Sequence, residues 1–356
     1  MTRRMLILFL TLAMLDGFAF AGGQKEPPKP QPTEAAKPAV KEEPKPAAPK
    51  FTLIFASVSV PADAHTKGMY VFKEELERLT NGEIRVDVYP GGQLFTQEQE
   101  PMALRRGTLD MALEGPNWFA EYVPYTSIFA AAYMFRDYKH MSNYFNGPQA
   151  KPLYDDIARI CGFRPLAAWY LGTRQLNLRD IGREVRTPQD MKGVKLRMPN
   201  TPTWLFMGKA LGANPVPISF TELYLALKTG TVDGQDNPLP TDKNAKFYEV
   251  TKYIILTDHY INPIMPTINE VKWNSLGPDY QAKVLQAVEK ARQFCDETNL
   301  KAEAELVEFF KQQGLIVITA DKEAFMKYAQ KMYLDNKEIS GSWRMGIFDQ
   351  IQAMIK

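Results

Sequence analysis

LRRGTLDMALE (Leu104 to Glu114) and LKTGTVDGQDN (Leu227 to Asn237) share Leu-x-x-Gly-Thr-apolar-Asp at the same spacing. Each reads as a helix that stops at a glycine, the residue that most easily adopts the left-handed conformation of a helix end, and passes at once into a strand. The segments upstream match in order. VDVYP precedes the first helix, and NPVPIS precedes the second, which opens with Ser219-x-x-Glu222, the pattern of a capping box. Two similar α/β units are therefore expected, the competing reading being a common helix-to-strand turn that arose twice by chance. Equivalent units place Glu114 and Asn237 at matching strand ends, and the carboxyl ends of strands are where open α/β sheets bind ligands.

Working outward, FTLIFASV from Phe51 reads as a strand. A helix follows near Asp63, with Met69, Phe72, Leu76 and Leu79 at helical spacing and Asn81-Gly82 as its stop. EIRVDVYP alternates as a strand with one buried face. GVKLRMPN, Gly193 to Asn200, alternates likewise except at Arg197, just before Pro199. From Pro278 to about Gln313 a helical pattern runs with no internal glycine or proline, long enough at ~1.5 Å per residue to cross two lobes. Strand GLIVIT and two amphipathic segments, Asp321 to Asn336 and Ser342 to Lys356, complete the chain.

The 356 residues, 45 % hydrophobic, can bury one large core or two moderate ones. A net charge of +2 is too small for a nucleic-acid surface. Arg3 and Arg4, the apolar run Met5 to Leu15 and Ala19-Phe20-Ala21 read as an export signal over residues 1–21, and an uncleaved membrane anchor is the lesser reading because the run is short. Residues 22–50 hold eight prolines, six lysines and four glutamates with no aromatic residue, the composition of a disordered, solvated tether. Cys161 and Cys295 sit in buried helical patterns and are expected to stay unpaired. Catalytic and metal signatures are missing: no His-x-x-x-His, Cys-x-x-Cys, Gly-x-Ser-x-Gly, phosphate loop or dinucleotide fingerprint occurs. No cofactor and no metal are expected.

Polar residues stand beside apolar ones at Arg174 in AAWYLGTRQLNL, Arg197 in VKLRMPN and Asn237 in DGQDNP, and the aromatic Phe220 stands in ISFTELYLALKTG. The stretch TPQDMKGVKLRMPNTPTWLFMGKALGANPVPISFTELYLALKTGTVDGQDNP resembles the signature region of the extracytoplasmic solute receptors of TRAP (tripartite ATP-independent periplasmic) transporters, the DctP-like family. YPGGQL, LRRGTLDMAL and KFYEV extend the resemblance from about Phe51 to the C-terminus.

That resemblance implies an α/β, two-lobed periplasmic-binding-protein-like fold with a lobe-spanning helix. The expected divisions are lobe I at 51–171 and 263–302, lobe II at 172–262 and 303–330, and a C-terminal helical segment at 331–356. It also implies a monomer that captures a small carboxylated solute in the periplasm and passes it to sodium-coupled TRAP membrane permease subunits. By motif match Arg197 pairs with the ligand carboxylate; Arg174, Asn237, Phe220 and Glu114 fall on further pocket positions, and Asn200 and His259 on peripheral ones. Trp118, Trp169 and Trp204 are candidates to stack on the ligand, with plain packing as the alternative. Val58 and Thr96 stand where the family's sialic-acid receptors have asparagine and aspartate, which speaks against sialic acid. Sugar acids, hydroxy or keto acids and dicarboxylates all fit.

Arginine suits the inferred role because its planar, permanently charged fork can hold both carboxylate oxygens, which lysine cannot. Arg197 is expected to lose its water only when a ligand arrives and to lack a partner before that. Two other functions compete: an exported enzyme using Glu114 or His259 as a base, and a ligand sensor displayed on the tether.

Overall fold

The computed structural model describes residues 48–354. The export signal and nearly all of the expected tether lie outside them. The ten strands among the described residues are β1 (Phe51–Ala56), β2 (Ile84–Tyr89), β3 (Met111–Glu114), β4 (Phe163–Pro165), β5 (Trp169–Leu178), β6 (Lys195–Met198), β7 (Asn214–Pro217), β8 (Gly234–Pro238), β9 (Tyr253–Asn269) and β10 (Ile316–Thr319). They hydrogen-bond in the order β2-β1-β3-β9-β5-β8-β6-β7, with β4 and β10 also on β9.

The internal repeat is real at the level of topology. β1, helix Ala64–Leu79, β2, helix Glu100–Arg106 and β3 form one unit, with β1 parallel to both β2 and β3. β6, helix Pro202–Ala210, β7, helix Leu223–Thr229 and β8 repeat it, with β6 parallel to both β7 and β8. The two glycines of the repeat, Gly107 and Gly230, have φ of 71° and 78°, a left-handed helix end that a side chain would resist. The expected capping box does not form. The Ser219 side chain caps no amide, and its hydroxyl donates instead to Glu98 Oε2 at 3.0 Å, in the other unit.

Strands β5 and β9 join the units as an antiparallel pair. The C-terminal part of β9 pairs with β3 of the first unit and its N-terminal part with β10, while β5 pairs with β8 of the second, so the two strands together bridge the units. Neither was evident as a strand in the sequence, since near-continuous burial removes the alternation that marks a one-sided strand. β5 breaks register between Tyr170 and Gly172, where Gly172 has φ 136°. The long helix Glu270–Gln312, interrupted at Gly277 just before Pro278, lies along this break. From that helix Asp296 Oδ1 accepts from the Tyr170 amide at 2.6 Å, Asn299 Nδ2 donates to the Tyr170 carbonyl at 2.7 Å and Glu303 Oε2 accepts from the Tyr170 hydroxyl at 2.7 Å.

Each unit has its own core. Leu53, Phe55, Phe72 and Leu76 meet Val284, Val288 and Ala291 of the long helix in the first. Leu176, Leu196, Met198, Met207 and Ile255 meet Phe325 in the second. Each fully buried side chain of this kind stabilises the fold by about 1.5–3 kcal/mol. The C-terminal helices Lys322–Asp335 and Met345–Ala353 close the chain, with the Tyr333 ring 5.0 Å from Phe206. Cys161 and Cys295 are buried in helices and unpaired.

Candidate functional site

A cavity of about 60 Å³ lies where the strand ends of the two units face each other. From the first unit its wall takes Val58, Asp63, His65, Glu114, Asn117 and Trp118; from the second, Arg197, Trp204, Phe220 and Asn237; from β5 and β9, Arg174 and Asn262. Glu114 ends β3 and Asn237 is next to last in β8, as the repeat requires. Hydrogen bonds cross between the units beside it: Asn244 Nδ2 donates to Asp63 Oδ1 at 2.9 Å, and Thr203 Oγ1 to the Asn117 carbonyl at 3.0 Å.

Arg174 is fully engaged. Its Nε donates to Asn262 Oδ1 at 3.0 Å, Nη1 to the Asp236 carbonyl at 2.9 Å and Nη2 to Asn237 Oδ1 at 2.8 Å. The Asp236 carboxylate lies 3.4 Å from Nη1, and the guanidinium stacks on Trp204 at 4.4 Å. Burial alone would push Asp236 up, but the Arg174 charge and a hydrogen bond with His259 outweigh it, so the carboxyl is held below its ordinary range.

Arg197 differs. Only 1 % of it is exposed, so it is already buried, contrary to the expectation that a ligand would be needed to desolvate it. The loop from β7 to the next helix covers it: Nε donates to the Ile218 carbonyl at 2.7 Å and the Phe220 ring lies 6.0 Å away. Its Nη2 is buried without a hydrogen-bond partner. Burial, reinforced by the Arg174 charge, lowers its pKa to about 10, so it remains a cation at neutral pH.

Both oxygens of Glu114 are likewise buried and unpartnered. Behind it Glu100, 1 % exposed, has both oxygens in the same condition, and Glu98 has one. Burial pushes Glu114 well up, helped by Glu121 and Glu98; burial does the same to Glu100, helped by Glu114 and Glu98. Burial also raises Asp63 to about 7 and lowers His65 to about 3, leaving that imidazole neutral, 2.6 Å from Ser59 Oγ.

Seven of the ten residues singled out in the sequence line the cavity: Arg197, Arg174, Asn237, Glu114, Phe220, Trp118 and Trp204. Three stand apart from it. Asn200 is exposed at the end of the turn after β6. His259 is fully buried behind the cavity, bonded to Thr257 Oγ1 at 2.8 Å and Asp236 Oδ2 at 3.0 Å. Trp169 is fully buried in the first core, against Gly68. Of the two departures noted in the sequence, Val58 is on the cavity wall and Thr96 is not, although its neighbour Gln97 is. The sequence reading missed Asn117, Asn262 and Asp236. Asp236 could have been found as a charge inside an otherwise buried strand; nothing local distinguishes the two asparagines.

A family model described as bacterial extracellular solute-binding protein, family 7 (DctP) matches residues 55–338. The sialic acid-binding periplasmic protein SiaP of Vibrio cholerae is 34 % identical over 281 residues, 79 % of this chain and 86 % of that protein. A TRAP periplasmic solute-binding protein of Roseobacter denitrificans, solved with 3-deoxy-D-manno-oct-2-ulosonic acid, is 37 % identical with a TM-score of 0.81, covering 85 % of this chain and 99 % of that one. A second from the same organism, solved with L-galactonate, is 28 % identical with a TM-score of 0.79, over 87 % and 100 %. These proteins are solute-binding receptors rather than enzymes, and the solved ones share the two-lobed α/β fold found here. The chain belongs to the DctP family of TRAP transporter solute-binding proteins, family 7 of the bacterial extracellular solute-binding proteins.

Proposed function

We propose that this receptor is exported, holds a small carboxylated solute between its lobes, with Arg197 as the carboxylate's forked partner, and delivers it to a sodium-coupled TRAP permease. The observation that carries the reading is the buried, unpartnered Nη2 of Arg197 on a cavity walled by both units. A buried cation with an unused donor is costly unless an anion meets it. The lobes divide at Leu171/Gly172 and Asn262/Pro263, in the two shared strands, so that bending at Gly172 opens the cavity. A ligand touching Arg197 and Phe220 on one side and Glu114, Asn117 and Trp118 on the other binds the closed arrangement better and draws the lobes together.

Arg174, Asn237 and Asn262 form a fixed frame beside the ligand, and Asp236 with His259 holds that frame from behind. Native mass spectrometry of the purified protein, with identification of whatever co-purifies, is the direct test. An acid recovered intact supports the reading; a neutral ligand refutes the carboxylate role of Arg197, and an acid that the protein converts refutes simple capture.

A further inference from the structure

The two walls of the cavity carry opposite chemistry. On the second unit and the shared strands stand both arginines, and Arg174 has Nε, Nη1 and Nη2 committed to Asn262, Asp236 and Asn237, which leaves the fork of Arg197 for an incoming anion. The first unit's wall holds two carboxyl groups, Asp63 and Glu114, and no lysine or arginine. Its imidazole, His65, is held neutral by burial and bonded to Ser59. Glu100 and Glu98 stand behind Glu114, and three of the four oxygens they add are buried without a partner.

We propose that this carboxyl cluster, Glu98, Glu100 and Glu114, restricts the receptor to acids with a single carboxylate, whose other polar groups donate hydrogen bonds, and that it rejects dicarboxylates. The inference rests on the carboxylate reading of Arg197 and deepens it. A hydroxyl or ammonium at the far end of the ligand gives the Glu114 oxygens the donor they lack. A second carboxylate there would be buried without a cation, against carboxyl groups that burial already holds uncharged, and selectivity of this kind comes from the unfavourable partner as much as from the favourable one. Glu114 would touch the ligand; Glu100 is a positioning residue that acts by keeping negative charge off Glu114's side of the cavity.

The test is isothermal titration calorimetry of the whole protein at pH 8 with paired acids differing at one end: galactonate against galactarate, erythronate against meso-tartrate, with succinate alongside. The tightest binder is expected to be a monocarboxylate, with its dicarboxylate partner weaker by at least about 30-fold, the size of a charge left buried and unpaired. Glu114→Gln should shrink that ratio to less than about 5-fold, because the amide cannot ionise and adds an N–H donor that a second carboxylate can use. Glu100→Gln should narrow it as well, and serves if the Glu114 variant does not fold. A dicarboxylate that binds as tightly as the best monocarboxylate, or a ratio unmoved by both variants, overturns the proposal while leaving the receptor reading in place. Failure of every acid to bind would refute the carboxylate reading of Arg197 and this inference with it.

Discussion

Replacing Arg197 with alanine tests the central residue of the site. The side chain is 1 % exposed, its Nε holds the Ile218 carbonyl at 2.7 Å, and its Nη2 has no partner. Truncation therefore removes one hydrogen bond of the ligand-free protein and the whole fork offered to a carboxylate. Losing one side of a buried hydrogen-bonded charge pair costs about 2–5 kcal/mol, so the Kd should rise roughly 30-fold to several-thousand-fold. In the free protein the change removes a buried cation whose hydrogen bonding is incomplete, while exposing the Ile218 carbonyl, and the two effects oppose each other; the thermal midpoint should move by only a few degrees, on the order of 1 kcal/mol. Arg197→Lys should recover part of the affinity, since it restores charge without the second parallel bond. Calorimetry with the co-purifying acid, beside thermal unfolding without it, separates binding from stability. Unchanged affinity with a sharply lowered midpoint would show that Arg197 holds the fold and would refute the reasoning.

Asp236→Ala should destabilise by about 3–5 kcal/mol in chemical denaturation, because it strands the buried Arg174 and His259; a loss under 1 kcal/mol would contradict the frame role. Gly172→Ala would place a Cβ 2.5 Å from Pro238 Cβ at φ 136°, so thermal unfolding should show a loss of at least ~1–3 kcal/mol. Burial raises Glu303 to about 7 from its ordinary 4.5. A raised carboxyl stabilises the fold fully below the unfolded value and progressively less as pH rises through the folded one, so the midpoint of the wild type relative to Glu303→Gln should fall by a few degrees between about pH 4.5 and 7 and stay level above. A chain beginning at Lys50 should keep the affinity of the full chain, measured by calorimetry with the same acid.

What the sequence determined by itself was local or periodic. The glycine stops at Gly107 and Gly230 were legible because left-handed φ selects glycine, and with them came the repeat that makes two like units. Glu114 and Asn237 were legible as strand-end residues through that repeat, and Arg197 through the break it makes in an alternating strand just before Pro199. β5 and β9 were not, since strands buried on both faces lose the alternation that betrays a strand, and these two carry the connection between the units. Tertiary structure alone sorted the polar residues into roles. Arg174 and Arg197 look alike in the chain, and only packing shows that the first is spent on Asn237, Asn262 and Asp236 while the second has a nitrogen to spare. Trp169 and His259 went to the core and to the layer behind the cavity because burial depends on which distant strand lies opposite. Glu98 and Glu100, separated in sequence from Ser219 and Glu114, reached the site through chain reversals that no short window of residues encodes.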